Sequence, residues 1–501
     1  MFTRDELLVA AHVKPRDGIL PMRMPGAAVD SRLVQPGELF VALRGAQTDG
    51  HQFIAAAVAA GASAILCSAP DDTAAAHHIA QLVVPDPLAT LQQLAHARLT
   101  RQPQTRVIGI TGSSGKTSTK EATAALLAHL APTLKTRASF NTETGLPLTI
   151  LRLEPEHRFA VLEMGAQWVG EIAMLCRIAP PQIGIITTVG PAHLEYFGSI
   201  ENVERAKGEL VAALPADGIA IINADDRRVR RMDRRTKARV ITYGRRVGAD
   251  VRALRVGGDP LQGLRFTLTY DDQHARVHLN LPGEHAVSTA LAAAAAALAC
   301  GLSIEAAAAG LGELRPAKRR GEIKSGPNGA TLVDDSYNAN RQSVEAALRL
   351  IHSAKLPRGA HRWAILGDMF ELGAHAAAEH ALVGALAAEL VDELVAIGAE
   401  ACHVAEAALA AGMGADHVHL FTADVADASD RARALREAAA LVRERARHSD
   451  LILVKGSLGM GMDAIVSALH VQEVSPPAAT WEISARPRNA RRAPEYARTR
   501  R

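Results

Sequence analysis

The sequence predicts an α/β protein with three domains and mostly parallel sheets. Its 501 residues are enough for about three domains of ordinary size. From residue 106 onward, apolar segments typical of buried strands alternate with helical patterns. This order is expected of parallel sheets that carry helices on their faces. One apolar segment leads into a loop rich in glycine and serine, residues 109–118, which opens a helix.

The first domain is predicted at residues 1–105 as a small α/β unit without a phosphate-binding loop. Short apolar runs indicate strands, and an amphipathic run indicates a helix. The predicted strands are 29–32, 37–43, 62–66 and 82–84, and the predicted helix is 53–60.

The central domain is predicted at residues 106–318. Its strands are expected at 159–163, 183–189 and 219–223, and its helices at 117–129, 171–178, 200–213 and 285–299. Residues 245–281 instead alternate apolar and polar side chains, which is typical of antiparallel strands. We therefore expect these strands to be inserted before the last helix of this domain.

The third domain is predicted at residues 319–470 as a Rossmann-like, doubly wound fold. Its strands are expected at 331–334, 363–366, 393–397 and 451–454, and its helices at 343–352, 374–390, 402–411 and 426–447. Polar residues follow several of these strands, where open α/β sheets bind their ligands. Residues 471–501 are expected to form a disordered basic tail.

Composition and charge exclude several classes of protein. Hydrophobic residues make up 48% and charged residues 22%, as in a globular protein. The N-terminus does not resemble a signal peptide, and the most apolar window, residues 286–300, is too short to cross a bilayer. The four cysteines lie far apart, which favours buried thiols in a reducing cytoplasm.

The positive charge is concentrated in the tail. The chain has a net charge of +3, and residues 485–501 hold seven arginines and one glutamate. The rest is therefore slightly acidic, and we expect no nucleic-acid-binding surface on it. The tail is either a contact for acidic lipid or RNA, or a solvated extension, which is the interpretation we favour.

The loop at 109–118 has the residues needed to bind the phosphates of a nucleotide. Small residues allow backbone N–H groups to surround an anion, and the helix that follows adds a positive dipole end. The expected phosphate-binding residues are Gly112, Ser113, Ser114, Gly115, Lys116, Thr117 and Ser118. Lys116 is expected to reach the terminal phosphates and Thr117 to hold Mg²⁺. The strict motif requires glycine at position 110, which is Ile110. The central domain is thus predicted to be a P-loop ATPase domain.

Four further polar residues are candidates for this site. Glu163 ends a predicted strand and is either a metal ligand or a solvated carboxylate. His193 follows another strand. A loop histidine on its own is more often structural, but its place in a phosphate-loop domain makes His193 a candidate for the metal or phosphate site. Asn141 lies in a flexible loop that is either a connecting turn or part of the site. Lys207 by itself would be interpreted as a surface lysine.

These residues occur in motifs that together resemble the Mur ligase family. The matching segments are 111–117, 141–145, 162–165, 192–195, 206–209 and 334–340. Single phosphate loops occur by chance, but this ordered set does not. The resemblance covers roughly residues 25–470, and segments 334–340 and 367–373 are similar to the branch of the family that adds a dipeptide.

The resemblance implies an ATP-dependent ligase of peptidoglycan synthesis. In this family, ATP and Mg²⁺ convert the terminal carboxylate of UDP-N-acetylmuramoyl-tripeptide into an acyl phosphate. The amine of D-alanyl-D-alanine then attacks it. We expect a cytoplasmic monomer that binds these two partners. Two alternatives stay open: a related ligase with another amino acid or peptide as substrate, and a P-loop protein that binds nucleotide as a switch or scaffold.

The resemblance also implies roles for individual residues. Catalytic roles are implied for Lys116, Lys207, His193 and Asn141. Metal binding is implied for Thr117, Glu163, His193 and Lys207, the last as a carbamylated lysine. Nucleotide contacts are implied for His285, Arg320, Asp335 and Asn338, and substrate contacts for Ser31, Arg32, Asp49, His51, Asn340 and Lys455. The chain departs from the family pattern at Ala286, Thr289, Arg319 and Leu458.

Overall fold

The computed structural model describes residues 1–45 and 48–471. Its strands are β1 (Phe2–Thr3), β2 (Arg23–Met24), β3 (Ala27–Ala28), β4 (Leu39–Val41), β5 (Ala64–Cys67), β6 (Ala80–Val83), β7 (Arg106–Thr111), β8 (Thr133–Lys135), β9 (Phe159–Glu163), β10 (Ile183–Ile186), β11 (Ile219–Asn223), β12 (Arg239–Gly244), β13 (Val251–Asp259), β14 (Gly263–Tyr270), β15 (Gln273–Leu279), β16 (Glu322–Ser325), β17 (Thr331–Asp335), β18 (Arg362–Gly367), β19 (Glu393–Gly398), β20 (Val418–Thr422) and β21 (Leu451–Lys455). Apart from Val471, the predicted tail at 471–501 lies outside the described residues.

Helices separate most of the strands. They are α1 (Arg4–Ala11), α2 (Ile54–Ala59), α3 (Asp72–Ala76), α4 (Pro87–Thr100), α5 (Lys116–Ala128), α6 (Gly145–Ile150), α7 (Glu171–Ile178), α8 (Leu194–Phe197), α9 (Ile200–Ala212), α10 (Arg227–Arg230), α11 (His285–Ala299), α12 (Ile304–Glu313), α13 (Arg341–Ser353), α14 (Ala376–Leu390), α15 (Ala401–Ala410), α16 (Ala428–Arg445) and α17 (Asp463–Leu469). None of the described helices is both long enough and apolar enough to cross a membrane.

The N-terminal region is built on a four-stranded parallel sheet in the order β3-β4-β5-β6. The strand predicted at 29–32 is wrong, because Ser31–Leu33 form a 3₁₀ turn. Asp30 precedes this turn, and its carboxylate accepts a hydrogen bond from the Arg32 N–H at 3.0 Å. Such a local side-chain bond caps a turn and competes with strand pairing.

The central sheet has nine strands in the order β15-β14-β13-β12-β11-β10-β7-β9-β8. The six strands from β8 to β12 in this order are parallel, and β13 pairs parallel with β12. Strand β14 pairs antiparallel with β13, and β15 pairs antiparallel with β14. The antiparallel insertion predicted at 245–281 is therefore confirmed. In β9, Glu163 pairs with Ile110 of β7, so its carboxylate lies at the edge where the phosphate loop begins.

The third sheet has the order β16-β17-β21-β18-β19-β20, with β16 antiparallel and the others parallel. The predicted doubly wound α/β fold is confirmed. The sequence did not reveal β16 or the edge strand β20, since neither is a continuous apolar run. The carboxyl ends of the central strands of this sheet face those of the central domain across a cavity. The positions of the domain boundaries stay predictions.

Candidate active site

The cavity between the central and third domains has a volume of about 790 Å³. Among the residues that line it are most of the candidates: Ser113, Ser114, Gly115, Lys116, Thr117, Ser118, Asn141, Glu163, His193, His285, Arg320, Asp335, Asn338, Asn340 and Lys455. The fold thus brings together residues that are more than 300 positions apart in the chain. A space of this size is typical of a site for a small-molecule ligand.

The phosphate loop is held in shape by the end of the neighbouring strand. The Ser113 N–H donates to the Thr188 carbonyl at 2.8 Å, and the Ser114 N–H donates to the Thr188 hydroxyl at 3.1 Å. Gly112 has φ +147°, and a Cβ built there would lie 1.9 Å from Thr187 Oγ1. Gly112 does not line the cavity itself. Glycine is required at this position by both the backbone angle and the close neighbour.

Lys116 is the first residue of α5, and its side chain extends back towards the preceding loop. Its Nζ donates to the Gly112 carbonyl at 2.8 Å and lies 3.4 Å from the Ser113 carbonyl. Burial in the cleft lowers the pKa of Lys116; the Glu163 carboxylate opposes this effect, and the Arg320 charge adds to it. An anion bound in the loop would restore the charge balance around this ammonium group.

Glu163 is fixed from several sides at the end of β9. Its Oε2 accepts a hydrogen bond from Thr117 Oγ1 at 3.0 Å, and its Oε1 accepts one from Asn141 Nδ2 at 2.9 Å. Its backbone N–H donates to Thr136 Oγ1 at 3.0 Å, and the residue is 2% exposed. The site therefore presents a fixed carboxylate beside a hydroxyl, both hard oxygen donors.

No group of three or more His, Cys, Asp or Glu side chains within residues 1–45 and 48–471 is arranged to hold a metal ion. The pair formed by Thr117 and Glu163 suits Mg²⁺ all the same. This ion takes few protein ligands and completes its shell with water and phosphate oxygens.

His193 and Lys207 are placed differently from each other. The imidazole of His193 lines the cavity, and its Nδ1 pairs with the carboxylate of Glu371 from the third domain. Lys207 is 1% exposed and is not part of the cavity lining. Its Nζ donates to the Ala166 carbonyl at 3.3 Å and lies 5.3 Å from the centre of the Phe197 ring. Lys207 is thus a buried residue, contrary to the interpretation of this lysine alone.

Burial sets the protonation of Lys207. Desolvation, together with the positive charge of Lys116, lowers its pKa to about 7, although Glu171 and Glu209 act in the opposite direction. A large part of this amine is therefore neutral near neutral pH, and a neutral amine is nucleophilic.

The third domain forms the wall of the cavity opposite the phosphate loop. Lys455 Nζ donates to Asp335 Oδ2 at 2.6 Å and to the Asn338 carbonyl at 2.9 Å. The guanidinium of Arg320 stacks on the Tyr337 ring at 4.1 Å, which aims it at the cavity. Asn340 caps the N-terminus of α13. These contacts keep the polar groups of this wall in place.

His285 is the first residue of α11 and lines the cavity. Desolvation by burial lowers its pKa, so the ring is neutral at neutral pH; Asp335 opposes this effect and Lys455 adds to it. A neutral imidazole can both donate and accept a hydrogen bond, as contact with a nucleotide base requires.

Four predicted substrate residues do not line the cavity: Ser31, Arg32, Asp49 and His51. They lie in the N-terminal domain, where Asp49 pairs with His51 at 2.6 Å and His51 Nε2 accepts from the Ser68 N–H at 3.0 Å. Their role stays a prediction, and it requires a second binding region outside the cavity.

Sequence reasoning missed Glu371 and Gln167, which contact each other across the boundary between the third and central domains. Gln167 Nε2 donates to Glu371 Oε1 at 3.1 Å. The available signal was the position of Glu371 after a predicted strand of the third domain, where ligand-binding residues collect. Its partners in the central domain could not be read from the sequence, because the contact depends on how two domains pack.

Comparison with known families identifies three matching regions. Residues 26–99 match the Mur ligase family, catalytic domain; residues 110–297 match the Mur ligase middle domain; and residues 319–458 match the Mur ligase, glutamate ligase domain. Together these regions cover most of the chain.

Two curated relatives from different bacteria carry the same name. The UDP-N-acetylmuramoyl-tripeptide–D-alanyl-D-alanine ligase of Mycobacterium tuberculosis (strain ATCC 25618 / H37Rv) is 41% identical over 487 residues, covering 92% of this chain and 94% of that one. The ligase of this name from Escherichia coli (strain K12) is 38% identical over 366 residues, covering 73% and 79%.

Solved structures agree with the fold. Crystal structure I of MurF from Acinetobacter baumannii superposes with a TM-score of 0.80 at 33% identity, covering 93% of this chain and 98% of that one. MurF ligase from Thermotoga maritima in complex with ADP gives a TM-score of 0.73 at 26% identity, with coverage of 89% and 97%. The protein therefore belongs to the Mur ligase family.

Proposed function

We propose that this protein joins D-alanyl-D-alanine to UDP-N-acetylmuramoyl-tripeptide at the expense of ATP, in the synthesis of peptidoglycan. The main support for this proposal is the arrangement of the cavity, in which the phosphate loop faces polar residues of the third domain. The names of the relatives at 41% and 38% identity support this choice of substrates.

The chemical problem is that a carboxylate must attack a phosphate. In the proposed reaction, a carboxylate oxygen of the tripeptide bonds to the γ-phosphorus of ATP, and ADP leaves. The amine nitrogen of the dipeptide then bonds to the acyl carbon, and phosphate and a proton leave. Lys116 and the loop N–H groups lower the repulsion between the two anions and stabilise the charge of the transfer.

We propose that Thr117 and Glu163 hold a Mg²⁺ ion at the phosphates, with His193 near a second ion. This proposal is supported by the two oxygen ligands that these residues offer. The Thr117 hydroxyl and the Glu163 carboxylate contact each other at 3.0 Å beside the phosphate loop. When bound, the ion supplies positive charge to the phosphate oxygens. Asn141 orients the Glu163 carboxylate from the other side.

We propose a carbamate on Lys207. The neutral amine adds to CO₂, an N–C bond forms, and a proton is released. The product is an anion in place of a cation, and it can bind a metal ion, unlike an ammonium group. The support is the burial of this lysine and its pKa of about 7. Rescue of Lys207→Ala by short-chain carboxylates is the expected result.

The remaining polar groups are proposed to bind the substrates. Asp335, Asn338 and Arg320 would contact the nucleotide, and Asn340 and Lys455 the incoming dipeptide. Ser31, Arg32, Asp49 and His51 would bind the UDP-sugar part in the N-terminal domain. We also propose that the protein is a monomer. Its four free cysteines are compatible with the proposed location in the cytoplasm, a reducing compartment.

The deciding experiment measures phosphate release with UDP-N-acetylmuramoyl-tripeptide, ATP and Mg²⁺, with and without D-alanyl-D-alanine. We expect strong stimulation by the dipeptide and none by single amino acids. Equal rates with and without it would refute a ligase and favour a nucleotide-binding switch, and stimulation by a single amino acid would favour a related ligase. Lys116→Ala should abolish the reaction, and Lys355→Ala, on the surface of the third domain, serves as its control.

A further inference from the structure

The polar contact between Glu371 and the central domain joins the two walls of the cavity. The carboxylate of Glu371 pairs through Oε2 with His193 Nδ1 and accepts through Oε1 from Gln167 Nε2 at 3.1 Å. The carbonyl of Glu371 accepts from the Glu195 N–H at 3.0 Å. A single residue of the third domain therefore contacts three points of the central domain.

The other polar contacts recorded across this boundary in the described residues are longer. Asn340 Nδ2 lies 3.4 Å from the Ser113 carbonyl, and Gln342 Nε2 lies 3.5 Å from the Val189 carbonyl. Arg320 Nη2 lies 3.4 Å from Thr117 Oγ1. Such lengths are beyond the usual range for an N–H···O bond. Glu371 consequently provides the strongest polar link between the phosphate-binding domain and the third domain.

The loop that carries Glu371 is fixed within the third domain. The Met369 N–H donates to His380 Nε2 at 2.9 Å, and the Phe370 N–H donates to Ser457 Oγ at 2.8 Å. The carboxylate of Asp368 accepts from two N–H groups at the end of β19. The position of Glu371 therefore follows the third domain as a whole, since its loop has little freedom to move alone.

Both partners of the contact adopt uncommon backbone angles. Glu371 has φ +63° and His193 has φ +55°, in the left-handed region that residues other than glycine rarely occupy. A Cβ built on Gly373 would lie 3.2 Å from the Cα of Glu195, so the two loops are closely packed. Angles of this kind persist only where the surrounding structure holds them, and they occur often in sites that act in function.

We propose that Glu371 is a positioning residue that couples closure of the third domain to the orientation of the His193 ring in the cavity. This inference rests on the proposed function, because the closed arrangement is the one that brings nucleotide and acceptor together. When the third domain moves away, the link to His193 and Gln167 breaks, and the imidazole loses the partner that fixes its Nδ1 side.

The test uses the full chain and two readouts. Small-angle scattering gives the radius of gyration with a non-hydrolysable ATP analogue, and steady-state kinetics gives kcat and KM. Glu371→Gln keeps the shape of the side chain and removes its charge. We expect a larger radius than in the wild type, kcat lowered by about tenfold, and KM for ATP changed less than about twofold. Gln167→Ala, on the other side of the contact, should change both readouts in the same direction.

The matched control is Glu389→Gln, the same change on an exposed residue of α14, and it should resemble the wild type. An unchanged radius together with an unchanged kcat for Glu371→Gln would overturn the inference. So would a large rise in KM for ATP without a change in radius, which would assign Glu371 to nucleotide binding. The scattering needs only the nucleotide analogue, so it still decides this inference if the acceptor proves to be another peptide.

Discussion

Lys455 and Asp335 form a largely buried ion pair at the carboxyl ends of two neighbouring strands, with 2.6 Å between Nζ and Oδ2. The pairing of β17 with β21 places the two residues directly opposite each other. Burial lowers the pKa of Lys455, and the Asp335 carboxylate opposes that effect. The 1% exposed ammonium also holds the Asn338 carbonyl, so the pair fixes one wall of the cavity.

Lys455→Met should destabilise the third domain, because it leaves the Asp335 carboxylate without its partner. We expect a loss of about 2–3 kcal/mol in the free energy of unfolding, measured by urea denaturation. Lys355→Ala, which removes an exposed lysine of the same domain, should change it by less than about 0.5 kcal/mol. If Lys455→Met/Asp335→Asn is no more stable than Lys455→Met alone, the unpaired charge is not the cause of the loss.

Much of the fold could be predicted because the buried strands are continuous apolar runs. The strands Phe159–Glu163 and Ile219–Asn223 and the helices Glu171–Ile178 and His285–Ala299 have the predicted bounds. The predictions failed where a local polar contact determines the backbone conformation, or where a strand lies at the edge of a sheet. Asp30 caps a turn where a strand was expected, and β20 lies at the edge of its sheet, where no apolar run is needed.

The candidate site could be predicted where one strand or loop defines it, as for Lys116, Thr117 and Glu163. The register of β7 and β9 then brings the carboxylate to the loop. The sequence could not reveal contacts that depend on domain packing, such as the pair of His193 and Glu371. The burial of Lys207 also depends on tertiary structure, since its helix has both buried and exposed faces.

Gly112→Ala should disrupt the phosphate loop, because the added methyl group would overlap with Thr187 Oγ1 and the backbone angle disfavours alanine. We expect affinity for an ATP analogue to fall by about tenfold or more, as measured by calorimetry. Gly257→Ala is the control, since nothing lies within 4 Å of a Cβ there. Wild-type affinity in Gly112→Ala would mean that the loop does not bind the phosphates in this conformation.

Glu163→Gln should weaken the proposed magnesium site, because an amide is a poorer ligand for a hard cation than a carboxylate. We expect the Mg²⁺ concentration for half-maximal activity to rise by about tenfold or more, while the protein stays folded. Removal of Mg²⁺ by a chelator should stop the reaction of the wild type, and its return should restore it. Glu389→Gln provides the control for the charge change. An unaltered Mg²⁺ requirement in Glu163→Gln would contradict this assignment.

The reaction of Lys207 with CO₂ should depend on pH in a defined direction. Burial lowers its pKa to about 7, so the amine is mostly protonated and inert below this pH and mostly neutral above it. A carbamate signal in the NMR spectrum with ¹³C-labelled CO₂ and bicarbonate should therefore increase as the pH is raised from 6 to 8. It should be absent in Lys207→Met. An exposed lysine keeps its proton throughout this range, so Lys355→Ala should leave the signal unchanged. A signal that persists in Lys207→Met would assign the carbamate to another amine. The absence of any signal at pH 8 in the wild type would refute the proposed carbamate on Lys207.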